Sequence, residues 1–131
     1  MPRKTLKQRR EKQRREKNNR IRPIVNRLIG IKDPDTLMLE LLELLGEPTL
    51  IPEPGKLYVF VYNAKTPGIR YDSNPLVAVG NIYSWGFSGY NFHWKDHRQY
   101  TWNEVAGGVY EVYDTELVDI RKIPFANFVD K

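Results

Sequence analysis

Two groups of residues in this chain have side chains and spacing that could do chemistry. The first is a pair of histidines, His93 and His97, in the same stretch as Asp96, Arg98 and Tyr100, with Asp72 some twenty positions earlier. An imidazole held by a carboxylate can move a proton as general acid or base. The spacing argues against more than that. His93 reads as a strand residue and His97 as part of a turn, so their four-residue separation does not place them on one helical face, and no third metal ligand follows at a recognisable interval. The chain has no cysteine, hence no thiolate metal site, cysteine nucleophile or disulfide. Ser73, Ser84 and Ser88 lack a nucleophile-elbow setting, and Gly86, Gly89, Gly107 and Gly108 match no phosphate-binding loop. The expectation is a non-enzymatic protein with no catalytic residue, no metal and no cofactor. A small nuclease using His93, His97 and Asp72 is the catalytic alternative.

The second group is cationic. Arg3, Lys4, Lys7, Arg9, Arg10, Lys12, Arg14, Arg15, Lys17, Arg20 and Arg22 crowd into the first 22 positions. With two glutamates this segment carries +9, while residues 23–131, with ten Lys/Arg and fourteen Asp/Glu, carry −4; the sum is the net +5 of the whole chain. Segregated positive charge of this kind neutralises phosphates and releases counterions, and arginine forks suit phosphate oxygens. It reads backbone, not sequence. A nucleic acid bound through these eleven residues is therefore the expected partner; composition does not separate DNA from RNA, and DNA is the expectation carried forward. Docking on acidic protein surfaces and a merely solvated tail are the alternatives.

These residues need elements to position them. Residues 1–22, with the near-repeat KQRREKQRREK at 7–17, carry no apolar stripe, so packing cannot hold a helix there. A basic arm that is disordered, or helical once bound, is expected, and its removal is expected to leave the fold intact. Residues 23–51 read as helical. Pro23 opens a short amphipathic helix ending near Gly30; Asp33 and Pro34 start a second, and Gly46 and Pro48 stop it. Leu37, Met38, Leu41, Leu42 and Leu45 share one face of it, and Leu39 and Leu44 widen the apolar arc. Pro52, Pro54 and Gly55 then mark a boundary.

Residues 52–131 change to a β pattern. KLYVFVY (56–62) reads as a strand buried on both faces, PLVAVGNIY (75–83) as a second, and FSGYNFHW (87–94) as an alternating third. Residues 63–74 read as a polar loop, 95–98 as a charged turn, 100–105 as a helical turn, 109–113 as a strand and 115–120 as a short helix. The expected fold class is α+β: the arm, two short helices, and a small SH3-like barrel or roll of four to five strands. Tyr83, Trp85, Phe87, Tyr90, Phe92, Trp94, Tyr100 and Trp102 fall within twenty residues and read first as core. The acidic body argues against base stacking by them. Leu37, Leu41, Leu44, Leu45, Trp85 and Trp94 are the candidates for a protein interface. No stretch approaches the roughly 20 apolar residues of a membrane span, and no apolar run resembles a secretory signal.

The middle of the chain resembles small virion proteins of tailed phages, among them DNA end protector-like and other structural proteins of T4-like myoviruses and their cyanobacterial-phage relatives. The likeness lies in PGKLYVFVYNAKTPGIRYDSNPLVAV (54–79) and GFSGYNFHW (86–94), through Gly55, Tyr58, Phe60, Tyr62, Ala64, Lys65, Thr66, Tyr71, Asp72, Pro75, Leu76, Val77, Gly86, Phe87, Gly89, Asn91 and His93. It implies a bacteriophage structural or assembly protein, made in the host cytoplasm and placed in the virion within a larger oligomeric assembly. Other virion proteins would be its partners, besides DNA on the arm. A tail or baseplate component whose arm lies on acidic neighbouring subunits is the other structural possibility.

Overall fold

The computed structural model of the protein describes residues 18–130. The fold is α+β, with helices α1 (Val25–Ile29), α2 (Pro34–Leu45) and α3 (Leu117–Ile120), and strands β1 (Leu57–Tyr62), β2 (Arg70–Asp72), β3 (Leu76–Ile82), β4 (Gly86–Asn91), β5 (Asp96–Thr101), β6 (Val105–Val112) and β7 (Phe128–Asp130). Five strands form one antiparallel sheet in the order β5-β4-β3-β1-β6, and β2 pairs with β7 in a separate two-stranded sheet.

The expected barrel is not formed. Closure would require β5 to pair with β6, but they occupy opposite edges of the sheet. Part of the expected loop at 63–74 is strand β2, whose partner β7 escaped the sequence pattern because it is three residues long. Strand β5 begins at Asp96, inside the expected charged turn, and the helical turn is confined to Trp102–Glu104.

The two helices near the start follow their local signals. Asp33 caps α2 by accepting the backbone N–H of Thr36 at 2.9 Å, Pro34 occupies its first turn, and Gly46, at φ 87°, ends it. Leu37, Leu41 and Leu45 are buried and turn inward.

Strand β1 organises the interior because its alternating side chains enter two different clusters. Leu57 and Val59 join Leu76 and Val112 under the helices, with Ile21, Val25, Leu28, Leu37, Leu41, Leu45 and Ile120. Tyr58, Phe60 and Tyr62 face the other way into an aromatic cluster with Val77, Val79, Phe87, Tyr100 and Val109. Phe60 makes edge contacts with Phe87 and Tyr100 at 5.4 and 5.1 Å. This two-sided burial is what the unbroken apolar run of β1 predicts.

Two glycines of β4 let the strands come together. A Cβ on Gly86 would stand 1.9 Å from the Tyr100 carbonyl oxygen, and one on Gly89 would stand 2.4 Å from that of Ala78. Glycine inside a strand permits this close backbone approach.

Candidate functional site

Asp72 is the polar centre of the body. It ends β2 and is almost completely buried. Its Oδ1 accepts backbone N–H groups from Asn74 (3.1 Å) and Asn127 (3.4 Å), and its Oδ2 accepts the Asn91 side-chain amide at 3.2 Å. His93 Nδ1 lies 2.6 Å from the same Oδ2. A carboxylate only accepts, so this contact selects the form of His93 protonated at Nδ1. Asn91 donates onward to the Tyr100 hydroxyl at 2.9 Å, while its Oδ1 accepts the backbone N–H groups of His93 and Trp94. Burial pushes the Tyr100 phenol pKa up, against the lowering effect of the Asn91 hydrogen bond.

The sequence candidates Asp72, His93 and Tyr100 therefore meet, and His97 does not join them. It lies exposed on β5, 5.8 Å from the Tyr90 ring. An Asp–His pair can orient a general base, with Nε2 as the working nitrogen. Here the ring instead packs edge-on against Phe125 at 4.9 Å, and no side-chain hydroxyl among the described residues hydrogen-bonds to it. The network joins β2, the segment before β7, β4 and the turn after β4. Among the described residues no three His, Cys, Asp or Glu side chains cluster as a metal site.

The second polar centre fastens the start of the described chain. Glu116 is fully buried. It receives the Arg20 guanidinium through Nε at 2.9 Å and Nη2 at 2.7 Å, and the Arg20 backbone N–H at 2.7 Å. Arg20 also donates to the carbonyl oxygens of Leu45 and Glu111 and stacks over the Tyr113 ring at 3.9 Å. Burial works against its charge, but the hydrogen bonds and charge of Glu116 prevail and raise its pKa. Three residues on, Asp119 accepts from Asn19 at 2.8 Å and from Arg22 at 3.2 Å; the Asn19 hydrogen bond chiefly holds its pKa low. Thr115 donates its hydroxyl to the Asn18 carbonyl.

Arg20 and Arg22 were expected on the phosphate-binding arm, and both belong to the folded body instead. Arg20 is taken up by Glu116, with only 18% of its side chain exposed, whereas Arg22 meets Asp119 through Nε alone and keeps 70% of its side chain exposed. Arg3, Lys4, Lys7, Arg9, Arg10, Lys12, Arg14, Arg15 and Lys17 lie outside the described residues. The split at residue 22 also cuts through packed structure, since Ile21 is wholly buried. Residues 1–17 alone hold nine Lys/Arg and two Glu, +7, against twelve and fourteen, −2, in residues 18–131.

Among the interface candidates, Leu37, Leu41 and Leu45 are spent on the protein's own core and Leu44 is half-buried against it. Leu39, Leu50, Ile51 and Val118 are the strongly exposed aliphatic residues of the body. Trp85 stacks on Tyr83 at the tip of the β3–β4 hairpin, with ring centroids 4.8 Å apart. Trp94 lies between the Arg98 guanidinium, at 4.7 Å, and the Phe128 ring, also at 4.7 Å.

Glu116 and Asp119 were missed from the sequence. Their three-residue spacing repeats on one helical face opposite Arg20 and Arg22, but only the fold pairs positions almost a hundred residues apart. Phe128 and Arg70 gave no signal, because both belong to the short β2–β7 pair. Among the described residues no helix is long and apolar enough to cross a membrane. Comparison of the chain with protein-family models, curated proteins and solved structures finds no match.

Proposed function

We propose that this chain is a non-enzymatic phage virion structural or assembly protein that touches DNA through residues 1–17 and docks on neighbouring proteins through its folded body. The observation that carries the DNA contact is the charge division at the arm root. Nine cations lie before Asn18, whereas Arg20 and Arg22 are matched by Glu116 and Asp119. The body absorbs its own charge there and leaves the preceding segment a concentrated polycation, the form of charge that phosphates attract. The resemblance across residues 54–94 supports the virion setting, and the exposed Leu39, Leu50, Ile51 and Val118 support a docking role for the body.

The test is a salt series of duplex binding with the full chain, compared with a variant carrying Arg9, Arg10, Arg14 and Arg15 all changed to Gln. Each phosphate contact contributes roughly −0.9 to the slope of log affinity on log salt, so the four changes should flatten it by about 3 to 4. An unchanged slope removes the arm from DNA binding. Location of the chain in a particle map tests the setting. Residues 1–17 lying against DNA support the proposal, and the same residues lying across an acidic subunit favour the tail or baseplate reading.

The nuclease reading is favoured by the Asp72–His93 contact. It predicts DNA hydrolysis that His93→Ala abolishes and His97→Ala spares. No hydrolysis by the unaltered chain disposes of it.

A further inference from the structure

Arg70, Phe128, Trp94 and Arg98 form a continuous surface stack across β2, β7, the turn after β4, and β5. The Arg98 guanidinium carbon sits 4.7 Å from the Trp94 ring centre, Trp94 meets Phe128 at 4.7 Å and 60°, and the Arg70 guanidinium carbon sits 5.5 Å from the Phe128 ring centre. We propose that this stack is a second nucleic-acid contact, a platform on the body for the unpaired bases and phosphates of single-stranded DNA. It rests on the DNA-binding reading only for its choice of polymer.

Three observations carry it. First, the two arginines are open. Their carboxylate neighbours, Asp96 and Asp130, stand 3.9 Å away, beyond hydrogen-bond length, and 62% of the Arg70 side chain and 42% of Arg98 are exposed. Arg20 is the contrast within the same molecule, with its donors consumed by Glu116, Leu45 and Glu111. A guanidinium fixed over an aromatic ring keeps its N–H edge directed outward for a phosphate.

Second, Phe128 is exposed and Trp94 partly so, which offers π surface beside those cations. Stacking of bases on aromatic rings is tolerant of sequence and strongest when cations line the same groove. A duplex, its bases already stacked, would find only the cations here. Third, the charge is locally of the right sign. Among the exposed groups Arg70, Lys95 and Arg98 outnumber Asp96 and Asp130, and Asp72, opposite Phe128 on β2, is buried and turned to His93, Asn91 and backbone N–H groups, while residues 18–131 as a whole carry −2. Lys95 stands exposed at the turn in a left-handed conformation, φ 58°.

The experiment measures binding of the full chain to an oligothymidylate of about 16 nucleotides and to a duplex of equal length. Phe128→Leu keeps apolar bulk and total charge but removes the ring. It should weaken single-strand binding about tenfold, within the range for loss of one stacked base, and leave duplex binding unchanged. Phe128→Tyr should restore the affinity. Arg70→Gln combined with Arg98→Gln should weaken the single strand more than the duplex. Equal loss for both polymers with Phe128→Leu, or no loss for either, overturns the platform. The Gln variant of Arg9, Arg10, Arg14 and Arg15 separates the two readings. If it binds both polymers normally while Phe128→Leu still discriminates, the arm reading falls and the platform stands. If it loses both polymers while Phe128→Leu loses neither, the arm stands and the platform falls.

Discussion

Arg20 and Glu116 are the most consequential pair of side chains in the body. Glu116 has no solvent exposure, and one guanidinium supplies its opposite charge and two of its hydrogen bonds, the backbone N–H groups of Arg20 and Tyr113 supplying two more. Breaking a buried ion pair from one side leaves a charge without its partner, which costs about 3–5 kcal/mol. Arg20→Ala should therefore lower the denaturant midpoint sharply, whereas Arg9→Ala should leave it unchanged. The tyrosines give the body an alkaline limit. Burial, reinforced by the hydrogen bond to Glu104, pushes the Tyr62 phenol up to about 12, and burial raises Tyr100 as well. A folded-state pKa above the ordinary value of 10 means that the folded state favours the protonated phenol. That stability is complete below pH 10 and is lost as pH rises through about 12. An alkaline titration that follows unfolding and tyrosinate absorbance together, with Tyr62→Phe and Tyr100→Phe variants to assign those two phenols, should show their ionisation and unfolding in that window. Tyrosinate forming near pH 10 at Tyr62 or Tyr100 in a chain that stays folded would contradict it. On the acid side, the Thr36 hydrogen bonds hold Asp33 low and Asn19 chiefly does the same for Asp119. Their contribution is present above the ordinary carboxylate pKa and is lost as pH falls through the lowered values.

Strand β4 is the element least tolerant of change. Its two glycines sit where the backbones of β5 and β3 pass within contact distance of an added carbon. Gly86→Ala and Gly89→Ala must separate strands rather than move a side chain, and each should cost at least the ~1–3 kcal/mol of ordinary overpacking. Gly80, the residue outside the register where β3 and β4 shift, is the control. A Cβ there meets nothing closer than 3.8 Å, so Gly80→Ala should fold with little change in thermal midpoint. Comparable losses at all three positions would contradict the close-approach account. Glycines within an aromatic strand are a local signal of tight approach, but whether the sheet then closes depends on which strands lie at its edges.

For the molecule as a whole, the boundary between arm and body decides how the protein can be divided. Composition puts the change of charge after Arg22, but Asn19, Arg20 and Ile21 belong to the packed body through Asp119, Glu116 and the helical core. A chain starting at Asn18 should keep the full thermal midpoint. One starting at Pro23 should melt well below it, because it loses a buried isoleucine as well as the partner of Glu116; full burial of such a side chain is worth about 1.5–3 kcal/mol. Equal midpoints for the two truncations would show that the root is not part of the fold. The anchored root also fixes where the polycation leaves the body, beside α3 and the end of α2. The proposed stack is built from other elements, β2, β5, β7 and the turn after β4.

The sequence by itself determined the α+β class, the cap and stop of α2, the two-sided burial of β1 and the segregation of positive charge into the first 22 positions. Each depends on neighbours a few positions apart, where periodicity, capping and composition act directly. Only the tertiary structure decided that the sheet stays open, that Asp72 meets His93 while His97 does not, that Arg20 is spent on Glu116 and Arg22 meets Asp119, and that Arg70 and Phe128 complete a stack begun by Trp94 and Arg98. Those outcomes join residues that are mostly twenty to a hundred positions apart. Pairing at that range is set by how strands share edges and how helices cover one sheet face, and no local pattern carries it.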